Sequence, residues 1–66
     1  MKTFNVTISQ NNKTFKVKVN QKSETMDFDN AAQKCYEHFN LMVEDGDIDV
    51  DFYLDGKKVY SIGFSE

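Results

Sequence analysis

Six carboxylates fall between positions 44 and 55 of this 66-residue chain: Glu44, Asp45, Asp47, Asp49, Asp51 and Asp55, with no lysine or arginine among them. Asp47, Asp49 and Asp51 alternate with Ile48, Val50 and Phe52, the period of a half-buried β-strand. One strand face therefore enters a core and the other carries a file of carboxylates. Like charges along one strand face repel, so the row gives local folding little. Its chemistry is ion pairing with ammonium and guanidinium groups of a partner. Alternate strand side chains stand roughly 6.6–6.8 Å apart. A DNA strand advances about 3.4 Å along its axis per phosphate. The spacings are comparable without matching, and a protein cleft built for nucleic acid could accept such a row. Tyr53 shares the outward face and is the candidate aromatic anchor. The competing reading is a solvated face whose charges keep an exposed strand edge from pairing with other chains.

Other chemistry-bearing residues point less far. A calcium loop begun at Asp45 needs Gly in sixth place and Glu in twelfth, where Val50 and Gly56 stand, and the alternation splays the carboxylates instead of converging them. No metal or other cofactor is expected. Lys13, Lys16, Lys18 and Lys22 form the alternative, nucleic-acid-binding set, but no aromatic residue interleaves with them on the expected outer face. Cys35 and His38 fall three residues apart, yet no Gly-rich turn or second histidine accompanies them, so both read as structural and no enzymatic activity is expected.

The charges are unevenly distributed. Residues 1–22 carry five lysines and no acid; residues 23–66 carry eleven acids against Lys34, Lys57 and Lys58. The net charge of −3 thus conceals a basic first third and an acidic remainder. No linker or repeat accompanies the switch, so a single domain over 1–66 is expected. A chain this short buries only about 60% of its unfolded surface. Six Phe and three Tyr make a compact core plausible nonetheless. One cysteine leaves no internal disulfide, and Asn5-Val6-Thr7 and Asn12-Lys13-Thr14 read as chance matches to a glycosylation pattern. With no signal-like leader and no apolar run near 18 residues, a cytoplasmic setting without membrane contact is the expectation.

The elements that must position these residues follow from periodicity. Lys2 to Ser9 turns Phe4, Val6 and Ile8 inward; Thr14 to Asn20 turns Phe15, Val17 and Val19 inward. Pairing Ile8 with Phe15, Val6 with Val17 and Phe4 with Val19 leaves Asn11-Asn12 as a two-residue turn, and Asn tolerates the positive φ required. A helix follows, with Asp27 as N-cap after Met26, Ser23 and Thr25 as rival caps, and an apolar stripe of Phe28, Ala31 or Ala32, Cys35, Phe39 and Met42. It should fade near Leu41–Val43. The acidic strand and a last strand, Lys58 to Phe64, form a second hairpin. A two-residue Asp55-Gly56 turn would put Tyr60, Ile62 and Phe64 beside the carboxylates, so an odd loop with Gly56 at the bulge position is expected instead.

The order ββαββ predicts an α+β domain: a four-stranded mixed sheet, order 2-1-4-3, with one helix across one face and a parallel central pair. This layout resembles the β-grasp fold. In Asp29-Asn30-Ala31-Ala32, Asp45-Gly46-Asp47 and the final Val59-Tyr60-Ser61-Ile62 it is similar to the small immunoglobulin-binding domains of bacterial surface proteins. The resemblance implies the fold and transfers no binding residue. It sets the lysine strand and the aspartate strand at opposite sheet edges, making the molecule dipolar. In size, Asn/Lys-rich composition and acidic face the chain also resembles phage-encoded inhibitors of host defence, of anti-CRISPR or DNA-mimic type. The functional expectation is a protein–protein interaction module, monomeric or weakly dimeric, that blocks a basic, nucleic-acid-binding surface. Direct nucleic-acid binding, disfavoured by the acidic net charge, and docking by strand addition are the alternatives.

Overall fold

The computed structural model describes residues 2–21 and 27–66. It contains strands β1 (Lys2–Gln10) and β2 (Lys13–Gln21), helix α1 (Phe28–His38), a 3-10 turn over Val43–Asp45, and strands β3 (Ile48–Leu54) and β4 (Lys57–Phe64). The first hairpin has the expected register, with Ile8 opposite Phe15, Val6 opposite Val17 and Phe4 opposite Val19. Asn11 and Asn12 form its turn at φ 52° and 65°. Phe4, Val6 and Ile8 are buried, whereas their partners on β2 are only half-buried.

Helix α1 is capped by Asp27, whose Oδ1 accepts the Asn30 N–H at 3.1 Å. Met26, Ser23 and Thr25 lie outside the described residues. The helix ends earlier than its apolar stripe suggests, because Asn40 takes a left-handed conformation at φ 59°. The Asn40 N–H donates to the Glu37 carbonyl and the Leu41 N–H to the Tyr36 carbonyl, a paired closure of the last turn. Met42 therefore leaves the stripe and is exposed, and Tyr36 takes an inward position instead, its ring 5.1 Å from that of Phe64.

The second hairpin solves its parity problem differently from expectation. Asp55 (φ 52°) and Gly56 (φ 83°) form a two-residue turn, not an odd loop. The extra residue lies inside β4: Tyr53 faces Lys58 while Phe52 faces Tyr60, leaving Val59 as a bulge. Asp-Gly is well suited to positive φ at both turn positions. The bulge then restores Tyr60, Ile62 and Phe64 to the apolar face. Burial dictated the face; the turn chemistry displaced the irregularity into the strand.

The sheet order is β2-β1-β3-β4, and every neighbouring pair is antiparallel. The expected mixed sheet of order 2-1-4-3 with a parallel β1–β4 pair is therefore incorrect. The ββαββ succession is kept, but the parallel central pair of the β-grasp layout is absent. Burial explains the difference. Ile48, Val50 and Phe52 on β3 are fully buried at 0% exposure, which requires neighbours on both sides, whereas Tyr60, Ile62 and Phe64 on β4 are half-buried. A bulge and Gly63 also suit β4 to an edge.

The same substitution should thus cost different amounts on β3 and β2. Val50→Ala is expected to destabilise by roughly 2–3 kcal/mol and Val17→Ala by less than about 1 kcal/mol. Urea unfolding would measure both, and equal losses would contradict a central β3.

Candidate functional site

The sheet face away from the helix carries most of the residues singled out by charge. Its cross-strand rows follow from the register. Lys18, Asn5, Tyr53 and Lys58 form one row; Lys16, Thr7, Asp51 and Ser61 the next; Thr14, Ser9, Asp49 and Gly63 the third. The lysine and aspartate strands are therefore separated by β1 alone, about 9.4–9.8 Å apart at two strand spacings, and do not occupy opposite margins. The polarity runs along the strands instead. Lys18 and Lys58 lie toward one end of the face and Asp49 toward the other, where Asp47 and the turn carrying Glu44 and Asp45 adjoin it. Lys13, beside the Asn11-Asn12 turn and opposite the inward-phase Gln10, lies at the acidic end.

The carboxylates divide into two groups. Asp51 accepts a 2.7 Å hydrogen bond from Ser61 Oγ and has Lys58 Nζ at 3.9 Å, so the protein's own groups answer its charge. Asp55 sits in the far turn, eight residues from Asp47, roughly 26 Å along a strand. Tyr53 is half-buried between Asn5 and Lys58. These three do not belong to one site with the rest. Glu44, Asp45, Asp47 and Asp49 are exposed, and none is paired with a described lysine.

The backbone carrying that second group is held from below. Gln10 continues the inward phase of Phe4, Val6 and Ile8 and is buried, at 7% exposure. Its Nε2 donates to the Met42 carbonyl at 2.7 Å and the Gly46 carbonyl at 2.9 Å. Asn11 Nδ2 donates to the Asp45 carbonyl at 2.7 Å. Gly46, at φ 144°, lies so close that a Cβ there would stand 2.5 Å from Asn11 Oδ1. The tip of the first hairpin thus clamps the loop that presents Glu44, Asp45 and Asp47. Sequence reading missed this clamp; a polar residue at an inward strand position was the available signal.

Among the described residues no three His, Cys, Asp or Glu side chains are grouped to hold a metal ion. Lys16 and Lys18 are exposed on β2, and Lys22 lies outside the described residues. Cys35 is buried, and burial pushes its thiol pKa up, which suits an inert packing group. The His38 ring meets the edge of Phe39. Tyr60 Oη donates to Asp29 Oδ1, tying β4 to the first helical turn, while its ring stacks on Phe28 at 4.6 Å. No helix is long and apolar enough to cross a membrane among the described residues.

Comparisons with protein-family models, curated proteins and solved structures find no match to this chain.

Two outcomes test the clamp and the tether. Gly46→Ala should destabilise the fold by about 2–3 kcal/mol in urea unfolding, through backbone strain and loss of the Asn11–Asp45 bond. The Tyr60 phenol is pushed above its ordinary range by its hydrogen bond to Asp29, then by burial and by the nearby Asp29 and Asp27 charges. The fold favours the neutral phenol. Its stabilisation is therefore full below the unfolded pKa of about 10 and is lost as pH rises through the folded value. Absorbance titration in the tyrosinate band should show a late-ionising phenol that Tyr60→Phe removes.

Proposed function

We propose that this protein is an interaction module whose acidic end covers a basic surface on another protein, of the kind that otherwise holds nucleic acid. What supports the reading is the clamp: a buried amide and a turn amide together fix the backbone beneath Glu44, Asp45 and Asp47. Asp49 extends the patch onto the open sheet face. Charges held in place before contact lose less freedom on binding than charges on a loose loop. They also steer encounter with lysine- and arginine-rich surfaces. An anti-defence role, in which a phage protein occupies a nucleic-acid channel of a host complex, is one setting such an activity would suit. The site is narrower than the whole acidic stretch, since Asp51, Tyr53 and Asp55 fall outside it.

A second reading has its own observation. Tyr53 lies between Asn5 and Lys58, with Lys18 beyond, so an aromatic ring and two cations share one row of the open face. Lysines around an aromatic ring suit a single nucleic-acid strand.

One experiment separates them. A labelled arginine-rich peptide, standing in for the basic surface, should bind with a salt-sensitive affinity. The triple change Asp45→Asn, Asp47→Asn, Asp49→Asn should weaken it about tenfold or more. The equal-charge control Glu37→Gln, Asp51→Asn, Asp55→Asn should leave it within about twofold. Equal loss in both would reduce the effect to net charge and end the proposal. Binding of labelled single-stranded DNA, abolished by Lys18→Glu with Lys58→Glu, would favour the second reading.

A further inference from the structure

The two edges of the sheet are not alike. β4 carries a bulge at Val59 and a glycine at position 63, devices that discourage another strand from adding to it. β2 runs nine residues, pairs regularly with β1 along its whole length, and contains no proline or bulge. Its inward side chains Phe15, Val17 and Val19 remain half-buried although the matching residues of β1 are buried. Helix α1 accounts for this. Phe28, at its start, stacks on Tyr60 of β4, and Phe39, at its end, meets Phe15 on β2 with ring centroids 5.0 Å apart. Val17 and Val19 lie off that path. They form one wall of an apolar groove whose other wall is Ala31, Lys34, Cys35 and His38.

From this edge and groove we infer a second interaction surface: β2 accepts an extended segment of a partner protein in which acidic and apolar residues alternate. An added strand lies about 4.8 Å from β2. Its side chains fall alternately on the open face, beside Lys16 and Lys18, and on the helix side, over Val17 and Val19. Carboxylates complement the first set and apolar groups fill the second. A second copy of this chain fits poorly. Antiparallel β2–β2 pairing would bring lysines against lysines, and β4 offers Lys58, Ser61 and Gly63 on its open face, with no carboxylate to meet Lys16 or Lys18. The surface is separate from the acidic end and does not depend on what that end binds.

The probe is a blocked peptide of alternating Asp and Val, with alternating Lys and Val and alternating Asp and Ser as comparisons. Fluorescence anisotropy on the Asp45→Asn, Asp47→Asn, Asp49→Asn background, in which the acidic end no longer takes up a basic peptide, should detect the Asp–Val peptide, with the Asp–Ser and Lys–Val peptides at least about tenfold weaker. Amide shifts should concentrate on residues 13–21 and on Ala31, Lys34, Cys35 and His38. Lys16→Glu with Lys18→Glu, both exposed positions, should reverse the preference between the Asp–Val and Lys–Val peptides. Absence of binding, shifts centred on the acidic end, or an unchanged preference in the charge-reversed variant would overturn the inference. So would protein-concentration-dependent shifts along β2 without peptide, which would make a second copy the occupant.

Discussion

The burial of Ile48, Val50 and Phe52 decides the architecture. All three are at 0% exposure, and a strand reaches that state only with a neighbour on each side and a layer above. β1 and β4 supply the neighbours, and helix α1 supplies the layer. Phe4, Phe28, Phe52 and Tyr60 lock the layers together through edge-on and stacked ring contacts, with Phe28 and Phe52 each touching the other three. Once β3 is central, the opposite faces of the same residues have no freedom. Asp49 and Asp51 must stand in the middle of the open face, each between a polar residue of β1 and a small residue of β4.

That placement sets how the charges are answered. Beside Asp51 stands Ser61, which donates to it, and Lys58 approaches from the next row. An ion pair of this length at the surface contributes little, so the hydroxyl is the firmer partner. Beside Asp49 stands Gly63, where a Cβ would come within 3.2 Å of the carboxylate, so the neighbour gives room instead of a donor. Small residues on an edge strand therefore let a central strand keep its aspartates. The result is a gradient along the strands, from lysines at one end to the clamped acidic loop at the other.

Much of this was legible. Period-two alternation located all four strands, and the first register followed because pairing Ile8 with Phe15 leaves Asn11-Asn12, two residues that both tolerate positive φ, in the turn. Asp27 marked the helix start. The helix end was misread because Met42 continues the apolar spacing while Asn40, the residue that stops the helix, looks ordinary until its φ is known. The strand order failed for a different reason. The crossover rule and the β-grasp resemblance put the last strand in the centre, but the inward row of β3 is the more deeply buried, and burial outweighs the cost of placing carboxylates on a solvated face. The acidic residues were found as types, but their grouping depended on order and register. Only these show that Asp51 is answered internally and that Gln10 and Asn11 hold the loop around Asp45.

The open surfaces follow from size. An eleven-residue helix is about 16 Å long, whereas a nine-residue strand spans about 30 Å. One such helix cannot cover four strands of seven to nine residues. Phe28 sets its first turn against Phe52 and Tyr60, and the Tyr60–Asp29 bond fastens it there. The flank left over is the Val17–Val19 half of β2. A larger protein would close that flank with another element; here lysines on the outer face are the guard against indiscriminate pairing. Such a guard is selective by nature, because like charges facing one another across a strand pair are unfavourable whereas opposite charges are not.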